Sequence, residues 1–117
     1  MFRVIIAGSR DFEDYQLLKS KADKYLSNVK DDVTVVCGLA RGADTLGEKY
    51  ARERKYEVAY YPADWTNLGK AAGYVRNEQM AKNADALIAF WDGKSVGTAH
   101  MITLAHKYKL PVRIVRF

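Results

Sequence analysis

Residues 4–12, Val4-Ile5-Ile6-Ala7-Gly8-Ser9-Arg10-Asp11-Phe12, pass from an unbroken apolar run through a glycine into a short polar loop. A half-exposed strand would alternate apolar and polar residues, whereas a continuous run from Phe2 to Ala7 suits a strand covered on both faces. Gly8 ends it, and beyond the loop Tyr15, Leu18, Ala22, Tyr25, Leu26 and Val29 recur every three or four residues, the spacing of one helical face. The opening unit is therefore strand, loop, helix.

Working outward, the same unit recurs. Val33-Thr34-Val35-Val36-Cys37 is a β-branched run closed by Gly38, and Ala43, Leu46, Gly47, Tyr50 and Ala51 form the next helical stripe. Val58-Ala59-Tyr60-Tyr61 follows, stopped by Pro62, and a loop of about ten residues runs from Pro62 to Ala71, longer than most such connections. A helix is predicted from Ala72 to Asn83, a strand from Ala86 to Trp91, a helical face on Thr98, Met101, Ile102, Ala105 and Tyr108, and a last strand from Val112 to Val115. The order βαβαβαβαβ implies an α/β fold, a five-stranded parallel sheet doubly wound with helices on both faces. Strand order 3-2-1-4-5 is the first choice and 2-1-3-4-5 the alternative, and in either the ligand-binding edge lies beyond the carboxyl ends of the strands at a switch point.

Composition bounds the rest. A chain of 117 residues, 49% hydrophobic and 28% charged, without repeat, linker or low-complexity tract, reads as one folded domain spanning 1–117. No apolar run reaches the roughly 18 residues of a membrane span, and Met1 leads into a strand-like segment rather than a signal peptide, so the expected location is the cytoplasm, away from membranes. The single Cys37 excludes an intramolecular disulfide and a cysteine-cluster zinc site, and its apolar setting reads as a buried small hydrophobe rather than a nucleophile. A formal charge of +5 suits an anionic partner.

Four loops leave the strand ends: Gly8 to Asp11, Gly38 to Asp44, Pro62 to Gly73, and Asp92 to Thr98. All four combine glycine with a basic residue and lead into helix N-termini, where free N–H groups favour an anion. Glycine is also required for tight strand-to-helix turns, so each loop alone has a purely structural reading. Neither Walker A spacing nor GxGxxG occurs, which disfavours a P-loop ATPase and a standard dinucleotide dehydrogenase, and no motif implies a cofactor or a metal.

Within these loops, Gly97 and Thr98 present an N–H and a hydroxyl to one oxygen, with Ser95 beside them, while Thr98 alternatively caps a helix. Ser9 and Arg10 offer a hydroxyl and a fork of donors, against a reading in which Ser9 caps the first helix. Asp44 is placed to accept from ribose hydroxyls or to favour its helix N-terminus. Trp65, after Pro62-Ala63-Asp64, stacks on a base or anchors the long loop. Arg76 and Asn77 lie early on the third predicted helix, and His100, early on the last, is either an acid or base near the site or a helix-surface histidine.

Taken in series, Val4 to Phe12, Gly38-Leu39-Ala40-Arg41-Gly42-Ala43-Asp44, Pro62-Ala63-Asp64-Trp65, Ala72-Gly73 with Arg76-Asn77 and Met80, Ala84-Asp85-Ala86-Leu87 and Ser95-Val96-Gly97-Thr98 resemble the YspA-like SLOG family over nearly the whole chain. The resemblance implies a Rossmann-like domain of the wider group that includes the Lonely Guy phosphoribohydrolases and the DNA-processing protein DprA, with a role in binding nucleotides or nucleotide-derived signals. Lonely Guy enzymes carry an arginine ahead of a GT motif followed by glutamates. Arg76 and Gly97-Thr98 match the first features here, but Ala99, His100 and Met101 stand where the glutamates would be.

Cleavage of a base–ribose bond needs a carboxylate placed against a cationic transition state. Asp44, Asp64, Glu78 and Asp92 are substitutes elsewhere in the chain, with His100 as the acid, and Arg76, Asp44 and His100 are the catalytic candidates if there is catalysis. Ligand binding by a small sensor or effector domain is the favoured reading. The expected ligand-binding residues are Gly8, Ser9, Arg10, Gly38, Arg41, Gly42, Asp44, Asp64, Trp65, Arg76, Asn77, Ser95, Gly97 and Thr98. An N-glycosidase is the alternative. Nucleic acid is disfavoured as a partner because Lys19, Lys21, Lys24, Lys30, Arg52, Arg54, Lys55, Arg113 and Arg116 are spread over separate elements, and exposed tyrosines are candidates for self-association.

Overall fold

The computed structural model describes residues 1–39 and 42–117. Five parallel strands, β1 (Phe2–Gly8), β2 (Val33–Cys37), β3 (Glu57–Tyr60), β4 (Ala86–Trp91) and β5 (Val112–Arg116), form one sheet in the order β3-β2-β1-β4-β5. The strands alternate with helices α1 (Tyr15–Leu26), α2 (Ala43–Glu53), α3 (Trp65–Leu68), α4 (Ala72–Lys82) and α5 (Val96–Lys107). This is the α/β Rossmann-like architecture and the first of the two predicted strand orders. The chain leaves β1 toward β2 on one side and reaches β4 on the other, which puts the switch point between β1 and β4.

The unbroken apolar run of β1 is explained by its two covered faces. Val4 and Ile6 pack with Leu18, Ala22, Tyr50 and Ala51 of α1 and α2, while Ile5 and Ala7 pack with Met80, Ala81, Met101 and Ala105 of α4 and α5. The approach of α2 to β1 is close: a Cβ on Gly47 would lie 3.0 Å from the Ile6 side chain. At the carboxyl end of β1, a Cβ on Gly8 would overlap the Phe90 carbonyl oxygen of β4.

Most element ends fall within a residue of the sequence reading, and two features differ by more. α1 stops at Leu26 rather than Val29, because the Ser27 hydroxyl donates to the Lys24 carbonyl at 2.8 Å and Val29 N–H turns back to Leu26, although Val29 still packs on the core. The predicted loop from Pro62 to Ala71 contains α3 and a 3-10 turn over Gly69–Ala71. Asp64 starts α3 by accepting from Asn67 N–H at 3.1 Å and from the Asn67 amide at 3.0 Å.

α1 and α2 are joined by one polar cluster. The fully buried Tyr50 donates its hydroxyl to Asp23 at 2.6 Å, and Arg54 grips the same carboxylate with two bonds at 2.9 and 2.6 Å. These donors, Arg54 foremost, hold the Asp23 carboxyl below the ordinary carboxylate range. A carboxyl depressed by folding stabilises the native state fully above its unfolded value of about 3.9 and loses that contribution as pH falls through the lower folded value. Asp23→Asn should therefore lower the urea midpoint at about pH 7 but cost progressively less toward about pH 2. An equal loss at both pH values would contradict the charge-based account.

Candidate functional site

The loops after β1, β2, β3 and β4 converge on one edge of the sheet, and Ser9 holds three of them together. Its N–H donates to the Phe90 carbonyl at 2.9 Å, its carbonyl accepts from Phe12 N–H at 3.1 Å and Ala43 N–H at 3.5 Å, and its hydroxyl accepts from Asp92 N–H at 3.2 Å. Ser9 is thus neither the cap of α1, a role taken by Asp14, nor a residue of the cleft wall. Phe12 stacks on Phe90 at 4.8 Å and pins the far end of the first loop, leaving the exposed Arg10 directed over the edge.

The converging loops enclose a cleft of two adjoining lobes. The larger, about 310 Å³, is bounded by Gly38, Leu39, Pro62, Ala63 and Trp65. The smaller, about 90 Å³, lies under the start of α5 and is bounded by Gly8, Asp44, Asn77, Ser95, Gly97 and Thr98, with Met80 and Met101 at its floor. Arg10 and Arg76 line both lobes. The smaller space, less than a third of the larger, is sized for a compact polar group.

Each wall has a local cause. Asp92 accepts from the N–H groups of Lys94 and Ser95, both at 2.8 Å, and these bonds hold its carboxyl below the ordinary range. The turn they form delivers the chain into α5, whose N-terminus carries no side-chain cap. Ser95 and Thr98 bring their hydroxyls within 3.2 Å of each other inside this first turn, so Thr98 is not an N-cap. A Cβ on Gly97 would meet nothing within 4 Å, so packing does not require a glycine there. Trp65 is 56% exposed at the mouth of the larger lobe and presents its ring to the cleft instead of anchoring the loop in the core.

On α4, the Arg76 guanidinium donates to the Gly38 carbonyl through Nη1 and to Asn77 Oδ1 through Nε at 3.0 Å. Asn77 in turn donates to the Gly97 carbonyl at 3.4 Å and contacts His100 Nδ1 at 3.2 Å. A Cβ on Gly38 would lie 2.8 Å from Arg76 and 2.9 Å from the Asp44 carboxylate, so glycine lets both approach this turn. Asp44 is buried. Burial pushes the Cys37 thiol up to about 11 and its Sγ points at the Asp44 carbonyl, 3.6 Å away, which leaves no thiolate for nucleophilic work.

Of the expected residues, Gly8, Arg10, Gly38, Asp44, Trp65, Arg76, Asn77, Ser95, Gly97 and Thr98 line the cleft. Ser9, Gly42 and Asp64 lie outside its lining and shape the loops: Gly42 starts α2 at φ 76°, where a Cβ would strike the Ser9 carbonyl. Arg41 lies outside the described residues. His100 stands behind Asn77, half-buried, with the Tyr74 ring edge-on at 4.6 Å. The wall residues Leu39, Pro62, Ala63, Met80 and Met101 carry no polar signature that sequence reading would single out. Asp92, outside the lining, does, since an aspartate followed by glycine in Asp92-Gly93-Lys94-Ser95 is a turn signal. Among the described residues no group of three or more His, Cys, Asp or Glu side chains is arranged to hold a metal ion, and no helix is long and apolar enough to cross a membrane.

A parallel, doubly wound sheet with a cleft at its switch point and two arginines on the cleft wall defines a Rossmann-like domain. The chain belongs to the YspA, cpYpsA-related SLOG family, whose model matches residues 2–67. It is 37% identical over 118 residues to the Gene 61 protein of Mycobacterium phage D29, covering 96% of this chain and 94% of that protein. Among solved structures it resembles DNA processing protein A from Helicobacter pylori, with a TM-score of 0.67 and 21% identity over 97% of this chain, and spans 64% of that longer chain. It also resembles TM1055, with a TM-score of 0.70 and 20% identity, over 96% of this chain and 72% of that one.

Two of the cleft glycines should separate on substitution. Gly8→Ala should lower the urea midpoint by the equivalent of about 1–3 kcal/mol or more, because its Cβ has no space against Phe90. Gly97→Ala should leave stability unchanged or raise it by about 0.5–1 kcal/mol, since it removes helix-disfavouring glycine from an open position. A large loss for Gly97→Ala would mean that this glycine serves the fold rather than the cleft.

Proposed function

We propose that the chain binds a nucleotide or nucleotide-derived phosphorylated ribosyl ligand, as a small sensor or effector domain. The observation that carries this reading is the placement of Arg10 and Arg76 on the wall common to both lobes. The ligand's phosphate sits in the smaller lobe, against the uncapped N-terminus of α5 and the Ser95 and Thr98 hydroxyls, where N–H groups and helix dipole favour an anion. Arg10 and Arg76 supply the positive charge, and their forked donors match phosphate geometry. Asp44 accepts from ribose hydroxyls, and the base stacks on the exposed ring of Trp65 in the larger lobe.

Family membership agrees with a nucleotide-related role. Gly97 adds an independent argument: a glycine in the first turn of a helix costs stability, and here the open space around it is the space a bound phosphate would fill. A screen of nucleotides, ADP-ribose and NAD derivatives by thermal shift tests the reading. A true ligand at a hundredfold excess over its Kd stabilises the native state by about 2.7 kcal/mol, a shift of several degrees. Gly97→Asp and Arg10→Ala should abolish the shift, and an equal shift in both variants would overturn the assignment of the cleft. Because DNA processing protein A binds single-stranded DNA, an oligonucleotide belongs in the screen; binding that weakens steeply with salt would mark a polymer instead of a small ligand.

Nucleotide N-glycosidase activity is the second reading, and Asp44 is the observation in its favour. It places a carboxylate in the same lobe as Arg76, whereas Ala99, His100 and Met101 supply none after the Gly97-Thr98 pair. Incubation with nucleoside monophosphates should then release free base, with Asp44→Asn and Arg76→Ala inactive. Release that persists in both variants, or none in the parent chain, would end this reading for the substrates used.

A further inference from the structure

The Arg76-Asn77-His100 chain contains a proton-dependent constraint. Arg76 Nε can only donate and the Gly97 carbonyl can only accept, so one orientation of the Asn77 amide satisfies both: Oδ1 toward Arg76 and Nδ2 toward Gly97. Nδ2 is also the atom 3.2 Å from His100 Nδ1. That ring nitrogen must therefore accept, and the neutral imidazole carries its proton on Nε2.

A proton arriving on Nδ1 turns this contact into two donors facing each other. Relief requires the ring to leave or the Asn77 amide to turn over, and turning it over presents Nδ2 to the Arg76 Nε–H, which then loses its acceptor. Arg76 keeps its bond to the Gly38 carbonyl but loses one of the two contacts that fix its plane.

We infer that His100 is a positioning residue, which in its neutral form acts through Asn77 to hold the Arg76 guanidinium on the wall between the two lobes, so that the cleft loses affinity for a phosphate-bearing ligand when His100 takes up a proton. The affinity half of this inference rests on the cleft being an anion site; the coupling of His100 to Arg76 does not.

The surroundings are consistent with the neutral ring. On α4, Tyr74 packs edge-on against it and Asn77 contacts it; Glu78 favours its protonation, but burial prevails and lowers its pKa from the ordinary value. Glu78 is itself engaged by the Tyr108 hydroxyl at 2.9 Å, Lys82 at 3.7 Å and Lys107 at 4.0 Å. Arg10 and Asp44, from the β1 and α2 sides, reach the smaller lobe, which His100 does not line.

Two measurements on the intact chain separate the two halves. Without ligand, nitrogen-15 NMR over about pH 8 to about pH 5 should find neutral His100 protonated on Nε2, with a slowly exchanging Arg76 Nε–H that is lost as His100 titrates. A neutral ring protonated on Nδ1, or an Arg76 Nε–H indifferent to the titration, would overturn the coupling whether or not any ligand is known. With ADP-ribose as the probe, whose pyrophosphate is esterified at both ends and keeps constant charge over this range, affinity should fall roughly tenfold across the titration. His100→Gln, which offers an acceptor to Asn77 but takes no proton, should bind at high-pH strength throughout. An ADP-ribose affinity that falls with pH equally in the parent and in His100→Gln would overturn the assignment to His100. If ADP-ribose fails to bind at any pH, the reading of the cleft loses that ligand, the affinity half falls with it, and the ligand-free spectra alone decide the coupling.

Discussion

Ser9 ties its own loop to two segments that are far from it in the chain. Its N–H reaches Phe90 at the end of β4, its carbonyl takes Ala43 at the start of α2, and its hydroxyl takes Asp92 at the turn into α5. A buried hydroxyl and amide left without partners would cost about 1–3 kcal/mol each, so the bonds are as much a requirement of burial as a source of stability. The crossing also needs glycine on either side. Gly8 lets β1 lie against the Phe90 carbonyl, and Gly42 lets the α2 turn pass over the Ser9 carbonyl. The cleft exists because these loops are tied at one point and diverge from it, carrying Arg10, Asp44 and Gly97 to facing positions.

Most of the architecture was legible because a parallel sheet covered on both faces writes its strands as continuous apolar runs. β1 and β4 could hardly be mistaken, and the alternation with helical stripes left only strand order open, which the pairings β1–β2 and β1–β4 resolve. α3 was not legible in the same way. One turn of helix has no periodicity to detect, and its only trace is a capping aspartate three residues before Asn67. The end of α1 departs from the apolar spacing, because Val29 continues that spacing while Ser27 closes the backbone.

The candidate site divides along a similar line. Glycines and arginines in loops at strand ends are visible in sequence, and ten of the expected residues meet in the cleft. What sequence cannot convey is which polar group spends its hydrogen bonds on the fold. Ser9 looked like a ligand-binding hydroxyl or a local cap, but its partner is 83 residues away. His100 looked like an acid or a surface histidine, and the contact that gives it a different part to play runs to Asn77, on another helix. In both cases the deciding partner is distant in sequence and carries no pattern of its own.

The net positive charge acquires a different meaning once its partners are known. On the α1 and α2 surface, Arg54 is paired with Asp23, Lys19 with Glu53 and Arg52 with Glu48, and on the opposite face Lys82 and Lys107 share Glu78. All but one of those five cations are matched locally, and exposed pairs of this kind project little field beyond a Debye length. Arg76 is held differently, by the Gly38 carbonyl and the Asn77 amide oxygen, neutral groups that orient the guanidinium, while the Asp44 carboxylate shares its lobe. A positive group steered by neutral acceptors, in a cleft walled partly by apolar side chains, acts over a short range on whatever enters. On the proposed reading, such an arrangement suits a compact anion that fills the cleft.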